Sequence, residues 1–363
     1  MGNLAYDAII VGSGAAGIMA ALAAKNNTNK IAIVEQLPKI ATKLKATGGG
    51  KCNITNTLET NTFMEHFGKN GMFLRECLDR FSAKDLIGYL NSIRLETRAD
   101  DGFRIFPITR KSDTIIKVLH DELIKQNIQI ITNFKVIDIV KQEGDFLLKS
   151  SDDTLRSKRV VLASGGLGYP TLGATGEGFE ISKKLGHKVN KLYPAMMPLH
   201  TKETWVAKCT ADTVARVPME VDIKKHKNKK AMGDLIFTKS GIRGPVVLDF
   251  AREITPLFDK YDEIPLTMNL IKNKSENELI ELFKQEPTKS ILEVLETILA
   301  TNITKALLEY HEIDFSSTYK NIEGNKKEIL LQILTKTPLT ISGHDGFKMA
   351  MITRGGVSLK DIN

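Results

Sequence analysis

Cysteine is scarce in this sequence. The 363 residues include three cysteines, Cys52, Cys77 and Cys209, and no two of them have the C-x-x-C spacing. An odd and dispersed set of this kind argues against a disulfide framework and against a cysteine-based zinc site. It is typical of proteins in a reducing compartment, so we expect a cytoplasmic location.

A long apolar segment is also missing. The longest apolar run, residues 9–24, is interrupted by glycines and is shorter than the roughly 20 residues that a membrane-spanning helix needs. The first six residues contain no lysine or arginine, so the sequence lacks the positively charged start of a secretory signal. We therefore expect a soluble protein without a membrane partner.

Signatures of several functional classes are absent from the sequence. It contains no H-E-x-x-H motif, no recognisable Ser-His-Asp arrangement and no cluster of metal-ligating residues. RNA-recognition, KH and zinc-finger signatures are absent as well. These absences argue against a zinc protease, a serine hydrolase and the common RNA-binding modules, and we expect no bound metal.

Acidic residues are fewer than basic ones. The chain has 51 Lys+Arg and 43 Asp+Glu, a formal net charge of +8, and its pI is about 9.1. Such an excess attracts anionic ligands over long range, so RNA stays open as a partner. Part of the excess lies in Lys224–Lys230 (KKHKNKK), which we interpret as a solvated hairpin or loop.

A glycine fingerprint follows the first apolar segment. Residues 6–11 (YDAIIV) predict a buried strand, residues 15–25 a helix rich in small residues, and residues 30–35 (KIAIVE) a second buried strand. Between the first strand and the helix, Gly12–Gly17 reads G-x-G-x-x-G. In this strand–turn–helix context the motif predicts a dinucleotide site, with the pyrophosphate at the helix N-terminus.

Each fingerprint residue has a distinct expected role. Gly12 permits the tight turn, Gly14 lets the pyrophosphate approach the backbone, and Gly17 lets the helix and the strand pack closely. Glu35 ends the second strand, where its carboxylate would accept hydrogen bonds from a ribose. Its charge would disfavour a 2′-phosphate at that position.

Two features favour FAD over NAD as the dinucleotide. The chain breaks at Pro38 and enters a glycine cluster, where a nicotinamide domain would continue its β-α-β alternation. Residues 128–163 then predict a strand followed by a three-stranded β-meander, and the last strand, Arg159–Ala163, returns to the parallel sheet and leads into Ala-Ser-Gly-Gly. This layout is that of the glutathione-reductase-like FAD fold. A nicotinamide-dependent dehydrogenase stays open as an alternative.

Five sequence blocks resemble one family, the YhiN/BaiN-type conserved bacterial flavoproteins of the aminoacetone-oxidase type. The blocks are IIVGSGAAGIMAA, KLKATGGGKCNITN, and residues 163–187, 233–248 and 350–359. Together they span nearly the whole chain. The resemblance implies an α/β protein with a glutathione-reductase-like FAD-binding Rossmann domain, containing a parallel sheet and a β-meander, plus an inserted α+β domain. It also implies FAD as the cofactor.

The predicted domain boundaries follow a change of character near residue 187. Residues 1–189 form the first part of the FAD domain, residues 190–345 an inserted substrate or cap domain, and residues 346–363 the return to the FAD domain. The resembled proteins continue into a further segment that reaches the flavin, whereas this sequence ends at Asn363. We therefore expect weak flavin retention, or a homodimer that covers an exposed sheet edge.

The segment TGGGKCN, residues 47–53, lies against the flavin in the resembled fold. Its three glycines would let the ring system approach, and Lys51 would stabilise negative charge on the reduced flavin. Cys52 is either a small packed side chain or a thiol in redox exchange, and no second cysteine is close in sequence. Tyr169 is either a core aromatic or a proton donor to a reduced double bond.

The sequence thus predicts an FAD-dependent oxidoreductase that draws on NAD(P)H and acts on an unidentified small molecule. A flavoenzyme acting on RNA, or a basic RNA-binding flavoprotein, is the alternative. The candidate catalytic residues are Lys51, Cys52 and Tyr169. The candidate cofactor-binding residues are Gly12, Ser13, Gly14, Ala15, Ala16, Gly17, Glu35, Gln36, Lys43, Thr47, Gly48, Gly49, Gly50, Lys51, Cys52, Asn53, Val136, Ala163, Ser164 and Gly165.

Overall fold

The chain folds into two compact units. The computed structural model describes residues 5–362, and residues 1–4 and 363 lie outside the described part. Unit 1 contains the chain up to Gly166, Pro170–Lys191 and the chain from Gly355 onward. Unit 2 contains Leu167–Tyr169 and Leu192–Arg354.

Unit 1 is built from short strands and helices. Its strands are β1 (Ala5–Tyr6), β2 (Ala8–Val11), β3 (Ile31–Val34), β4 (Thr55–Asn56), β5 (Thr97–Ala99), β6 (Arg104–Pro107), β7 (Gln129–Ile131), β8 (Asp138–Gln142), β9 (Asp145–Lys149), β10 (Thr154–Ser157) and β11 (Val160–Leu162). Its helices are α1 (Ala15–Ala24), α2 (Thr42–Ala46), α3 (Thr60–Glu65), α4 (Arg75–Arg80), α5 (Ala83–Ser92), α6 (Ser112–Lys125) and α7 (Glu177–Lys184).

A parallel sheet in the order β11-β2-β3-β7 forms the centre of unit 1. Alternate residues of its strands belong to different cores. Ile10 and Ile33 pack in one cluster with residues of α1 and α6. Ile9 and Val34 belong to another cluster, which includes residues of the meander and of α7. Burial on both faces explains why β2 and β3 read as continuous apolar runs.

The β-meander lies in a second sheet, ordered β1-β10-β9-β8. Strands β8, β9 and β10 are antiparallel neighbours, and β10 pairs in parallel with β1. The chain then returns to the parallel sheet, where Val160 of β11 pairs with Ile9 of β2. The predicted fold class, a Rossmann-type parallel sheet with a β-meander, is confirmed.

A third sheet of unit 1, in the order β4-β6-β5, is antiparallel. Residues 96–107 (ETRADDGFRIFP) contain β5 and β6, which are joined by a turn. The Asp101 carboxylate accepts hydrogen bonds from the backbone N–H groups of Phe103 and Arg104, and Gly102 has φ +73°. An aspartate followed by a left-handed glycine is a turn signal, and it reverses the chain here.

Strand β12 (Val189–Ala195) leads the chain out of unit 1. The remaining strands are β13 (Leu199–Thr201), β14 (Thr213–Val221), β15 (Lys230–Thr238), β16 (Gly241–Arg243), β17 (Ile264–Met268), β18 (Thr337–Gly343) and β19 (Ile352–Val357). The remaining helices are α8 (Trp205–Lys208), α9 (Pro245–Ile254), α10 (Glu276–Gln285), α11 (Ile291–Leu295), α12 (Thr301–Tyr310) and α13 (Gly324–Thr335).

Unit 2 is an α+β unit around a closed antiparallel barrel, ordered β13-β16-β15-β14-β17-β18. Trp205 of α8 and Phe237 of β15 are fully buried in its core, with their ring centroids 5.4 Å apart. The chain returns along β19, which pairs with β12. The return to unit 1 at Gly355 comes later than the predicted residue 346, because β18 and the segment after it belong to the barrel unit.

Every helix within residues 5–362 is too short or too polar to cross a membrane.

We expect the two-sided parallel sheet to be sensitive to cavities. Ile33 has no exposed surface, so Ile33→Ala should lower the free energy of unfolding by about 2–5 kcal/mol. Val161 on β11 of the same sheet is 37% exposed, and Val161→Ala should cost no more than about 1 kcal/mol. Denaturant unfolding followed by circular dichroism measures both values. Equal losses of stability in the two variants would contradict the complete burial of Ile33.

Candidate dinucleotide-binding site

A cleft opens at the carboxyl-terminal edge of the parallel sheet in unit 1. The carboxyl ends of parallel strands meet at one edge, where ligands of doubly wound sheets bind. The empty space of the cleft, counted together with its open mouth and the solvent there, is about 820 Å³. Its walls are Val11, Gly12, Ser13, Gly14, Val34, Glu35, Gln36, Leu37, Ala41, Thr42, Lys43, Phe134, Lys135, Val136, Ala163, Ser164, Gly165, Leu172, Gly173, Ala174, Thr175, Glu177, Gly178 and Ile181.

The three fingerprint glycines meet three different steric demands. Gly12 has φ +103°, and a Cβ there would lie 2.6 Å from the carbonyl oxygen of Ala163. A Cβ at Gly17 would overlap the carbonyl oxygen of Gly12, so only glycine lets α1 pack on the turn. A Cβ at Gly14 would meet no atom within 4 Å. Packing within the chain therefore does not require glycine at position 14. A glycine is expected there if a pyrophosphate approaches the backbone.

The N-terminus of α1 at the cleft is uncapped. Gly14 is the N-cap residue and provides no side-chain hydrogen bond, and the first turn contains no acidic residue. The first N–H groups of a helix have no intrahelical partner, and the helix dipole adds partial positive charge there. Ala15 and Ala16 are exposed in this first turn and are not part of the cleft wall. The arrangement suits a phosphate.

Ser13 holds Glu35 in place. The Ser13 backbone N–H and hydroxyl donate to Oε2 of Glu35, at 3.0 and 2.5 Å. The backbone N–H of Leu37 donates to Oε1 at 2.9 Å. Ser13 is fully buried, so its side chain orients the carboxylate, and this positioning role is not visible in the sequence motif. Glu35 itself is partly exposed at the cleft wall, where it can accept from a ribose hydroxyl.

The rest of the cleft wall contains predicted residues and some that the prediction missed. Val136, Ala163, Ser164 and Gly165 line the cleft as expected. The missed residues come from the segments around Lys135 and from Leu172–Ile181.

Hydrogen bonds and an ion pair shape this missed part of the wall. Gln36 donates from Nε2 to the carbonyl oxygen of Gly173 at 2.7 Å, and Lys135 pairs with Glu177 at 2.6 Å. Glu177 begins α7. The block GATGEG, residues 173–178, was the available sequence signal for this wall, because it lies inside one of the family-like blocks.

Lys43 and Lys45 have different surroundings. Lys43 lines the cleft, and partial burial lowers the pKa of its ammonium group. Lys45 is exposed and pairs with Asp113 at 3.1 Å. Of the two lysines, Lys43 is the one placed to approach a phosphate.

The glycine run lies beyond α2 and is not part of the cleft wall. Gly48, Gly49 and Gly50 have φ of 58°, 63° and 84°, a left-handed conformation that glycine adopts without strain. This backbone shape accounts for the glycines without a ligand. A Cβ at Gly49 or Gly50 would meet no atom within 4 Å, so the turn has an open side. Thr47, Lys51 and Asn53 likewise stay outside the cleft.

Cys52 is fully buried in the core that contains Ile10 and Ile33. Burial raises the pKa of its thiol, and a side-chain hydrogen bond with Thr47 only partly offsets this. A buried and protonated thiol is neither nucleophilic nor accessible. These observations favour the packing interpretation over redox exchange.

Tyr169 belongs to unit 2 and does not line the cleft. Its backbone N–H donates to the carbonyl oxygen of Phe347 at 3.1 Å. Its φ of 55° is uncommon for a residue other than glycine. Its proposed proton-donor role stays a prediction.

Known proteins resemble the chain over almost its whole length. The family model described as "HI0933-like protein Rossmann domain" matches residues 6–363. The 3-dehydro-bile acid delta(4,6)-reductase of Clostridium scindens is 26% identical over 97% of this chain and 87% of that protein. The ribosomal RNA dihydrouridine synthase of Escherichia coli is 25% identical over 99% of this chain and 87% of that protein.

Among solved structures, the 3-ketosteroid-delta4-(5alpha)-dehydrogenase of Rhodococcus jostii RHA1 is 11% identical. The match covers 98% of this chain and 86% of that chain, with a TM-score of 0.47. That score is too low to establish a shared fold.

Two glycine substitutions should separate binding from folding. Gly14→Val places its side chain in the open cleft, so FAD affinity should fall by about tenfold or more, while the poorer N-cap preference of valine costs about 1 kcal/mol of stability. Gly17→Val forces α1 off the turn, so it should cost about 3 kcal/mol or more. FAD titration and denaturant unfolding measure the two effects. If Gly14→Val bound FAD normally, the cleft assignment would be wrong.

The three thiols should differ sharply in reactivity. Cys77 is exposed, whereas Cys52 and Cys209 are buried, and burial raises the pKa of Cys209 to about 12. A thiol-reactive chromophore should therefore label one cysteine per native chain rapidly and all three after unfolding. Cys77→Ser should abolish the rapid phase. Rapid labelling of Cys52 in the native protein would revive its redox interpretation.

Proposed function

Because the chain belongs to the HI0933-like Rossmann family, as its sequence resemblance predicted, we propose that it is an FAD-dependent oxidoreductase. We further propose that NAD(P)H provides the reducing equivalents and that the substrate contains a carbon–carbon double bond conjugated to a carbonyl group. The main support for this proposal is the cleft, where the uncapped N-terminus of α1 and the oriented carboxylate of Glu35 face the same space.

The cleft residues fit the ADP part of FAD. The backbone at Gly14 and the first turn of α1 would hold the pyrophosphate, and Lys43 is close enough in the wall to add charge. The Glu35 carboxylate, fixed by Ser13, would hold a ribose. When bound, FAD supplies hydride transfer. The chain's own contribution is to bind and orient the cofactor.

The names of two relatives suggest a common reaction class. A delta(4,6)-reductase of a 3-dehydro bile acid reduces double bonds in a steroid with a 3-keto group. A dihydrouridine synthase yields uridine whose ring double bond, conjugated to a carbonyl, is reduced. In both, a carbon–carbon double bond gains a hydride and a proton. This shared chemistry supports the proposed substrate class.

The cysteines of the described residues argue against a dithiol relay to the flavin. Within residues 5–362 the cysteines form no disulfide, and the thiol in the family-like glycine block is buried. A dithiol relay between reductant and flavin would need an accessible cysteine pair. If NAD(P)H is the donor, it would react directly at the flavin, without a dithiol relay.

RNA is the second candidate substrate, favoured by the name of the Escherichia coli relative and by the net charge of +8. The lysine run gives it little support. The run connects β14 and β15, and three of its lysines are ion-paired: Lys227 with Asp222 at 3.7 Å, Lys230 with Glu220 at 2.8 Å, and Lys229 with Glu253. Surface lysines engaged in this way contribute less to a phosphate-binding patch.

The proposed function predicts two linked half-reactions. Protein reconstituted with FAD should show the visible absorbance of oxidised flavin, and anaerobic mixing with NADH or NADPH should bleach it. The absorbance should return when a conjugated enone or a uridine-containing RNA is added. The saturated product, identified by mass spectrometry, would carry two additional hydrogen atoms. If neither nicotinamide nucleotide bleaches the flavin, the reductant assignment fails, and an oxidase driven by its own substrate replaces it.

Salt dependence separates the two substrate classes. Turnover of an RNA should fall steeply with salt, with a log–log slope of several units, because phosphate contacts release counterions. Turnover of a neutral enone should change little. Lys224→Ala with Lys225→Ala should reduce that slope only if the lysine run contacts RNA. An RNA activity that does not depend on salt would argue against phosphate-mediated binding.

A further inference from the structure

The β4-β6-β5 sheet of unit 1 presents three arginines around one aromatic ring. Arg104 and Phe106 are two residues apart on β6 and so share a face of the sheet. The guanidinium carbons of Arg104 and Arg110 lie 6.0 and 5.2 Å from the centre of the Phe106 ring. Arg98 on β5 pairs directly with Phe106, on the same face. We call Arg98, Arg104 and Arg110 the arginine triad.

Two aspartates hold the triad in position. Asp100 contacts Nε of Arg110 at 2.7 Å and also Nε of Arg98. Asp101 contacts Nε of Arg104 at 2.6 Å. A guanidinium group has five N–H donors in a fixed fork, and a contact through Nε occupies only part of it. The cations are thus oriented before any ligand arrives.

The aspartates do not neutralise the surface. Hydrogen bonds from the Arg104 backbone and guanidinium group, and from the Phe103 backbone, lower the pKa of Asp101 to about 2, so this carboxylate stays charged. Three arginines still outnumber two aspartates, and Lys111, next to Arg110, is exposed as well. The triad side chains are 42–57% exposed, which leaves them within reach of a ligand.

The open glycine turn connects this surface to the dinucleotide cleft. A Cβ at Gly48 would lie 3.5 Å from the edge of the Phe106 ring, so the turn borders the triad. The turn follows α2, whose first residues line the cleft and whose five residues span roughly 7 Å. The Ser112 hydroxyl, two residues after Arg110, donates to the carbonyl oxygen of Lys45 in α2 at 2.9 Å. These contacts hold the triad beside the cleft within one unit.

A second nucleotide needs a site of this kind. The sequence contains a single G-x-G-x-x-G motif, and its helix N-terminus already serves the cleft. Cationic side chains are then one way to hold the phosphates of a nicotinamide nucleotide. A 2′-phosphate is commonly recognised by arginine, whose fork can bind phosphate oxygens in pairs.

We propose that the arginine triad binds the 2′-phosphate of NADPH and so makes this chain prefer NADPH to NADH. This inference rests on the proposed role of a nicotinamide nucleotide as reductant. Within the triad, the guanidinium groups of Arg104 and Arg110 border the Phe106 ring beside the open turn, so these two residues are replaced in the test.

Rapid mixing of the FAD-loaded protein with NADPH or NADH tests the preference. In Arg104→Gln/Arg110→Gln the apparent Kd for NADPH should rise about tenfold or more, because two charge-assisted contacts are lost. The apparent Kd for NADH and the limiting rate of flavin reduction should change little. Arg80→Gln is the matched control, since Arg80 lies on α4 and pairs with Glu76 at 2.6 Å. It should behave like the unmodified protein.

Direct binding separates this inference from the proposed function. Calorimetry with 2′,5′-ADP on the FAD-loaded protein needs no chemistry, and the ligand should bind the unmodified protein and not the double variant. If 2′,5′-ADP binds in this pattern while NADPH does not reduce the flavin, the proposal that NADPH is the reductant is wrong, and the proposed phosphate site is retained. Thermal unfolding verifies that each variant is folded, and Arg110→Lys should give an intermediate affinity.

Equal affinity of the unmodified protein and the double variant for NADPH and for 2′,5′-ADP would overturn the proposal. So would a double variant that keeps its NADPH affinity but loses retention of single-stranded RNA. In that case the triad would serve a phosphodiester backbone instead.

Discussion

The contact between Gly17 and Gly12 is the constraint on which the site depends. Because Gly17 has no Cβ, α1 can pack directly on the turn that follows β2. Gly12 in turn lies against Ala163 at the end of the neighbouring strand β11, with φ +103°. These two close approaches bring the N-terminus of α1 to the edge where the parallel strands end. Any larger side chain at either glycine separates the helix from that edge.

The rest of the cleft is organised around this contact. The same turn contains Ser13, which is buried and directs the carboxylate of Glu35 toward the cleft. The next residue, Gln36, donates a hydrogen bond to the carbonyl oxygen of Gly173 and so fixes another part of the wall. Charge, helix dipole and hydrogen-bond acceptors therefore face one space, although they come from segments far apart in the sequence.

The sequence predicted those parts of the molecule that depend on short stretches of neighbouring residues. The turn at Gly12–Gly17, the two apolar strands and the meander each have a short-range pattern, and all of them are found in the structure. Tertiary packing brings the walls contributed by Lys135 and by Leu172–Ile181 to the cleft, and the block GATGEG, residues 173–178, was their one sequence signal. The position of these wall residues depends on how distant parts of the chain pack together, and the spacing of residues along the sequence does not reveal it.

The glycine run shows a second limit of reading a sequence. Its three glycines suggest a backbone approached by a ligand, yet their left-handed φ angles already require glycine. The arginine triad beside the run was not visible in the sequence either, since Arg98, Arg104 and Arg110 converge only when β5 and β6 pair around Phe106. Cys52, the most conspicuous reactive residue of the segment, is buried, and burial removes its reactivity.

The central claim is that the cleft at the N-terminus of α1 holds the dinucleotide part of FAD. Amide hydrogen exchange with and without FAD tests it residue by residue. The account predicts slower exchange on FAD addition at the first turn of α1, at residues 34–37 and at residues 163–165, with little change in the barrel strands of unit 2. FAD binding without protection at the first turn of α1 would contradict the account.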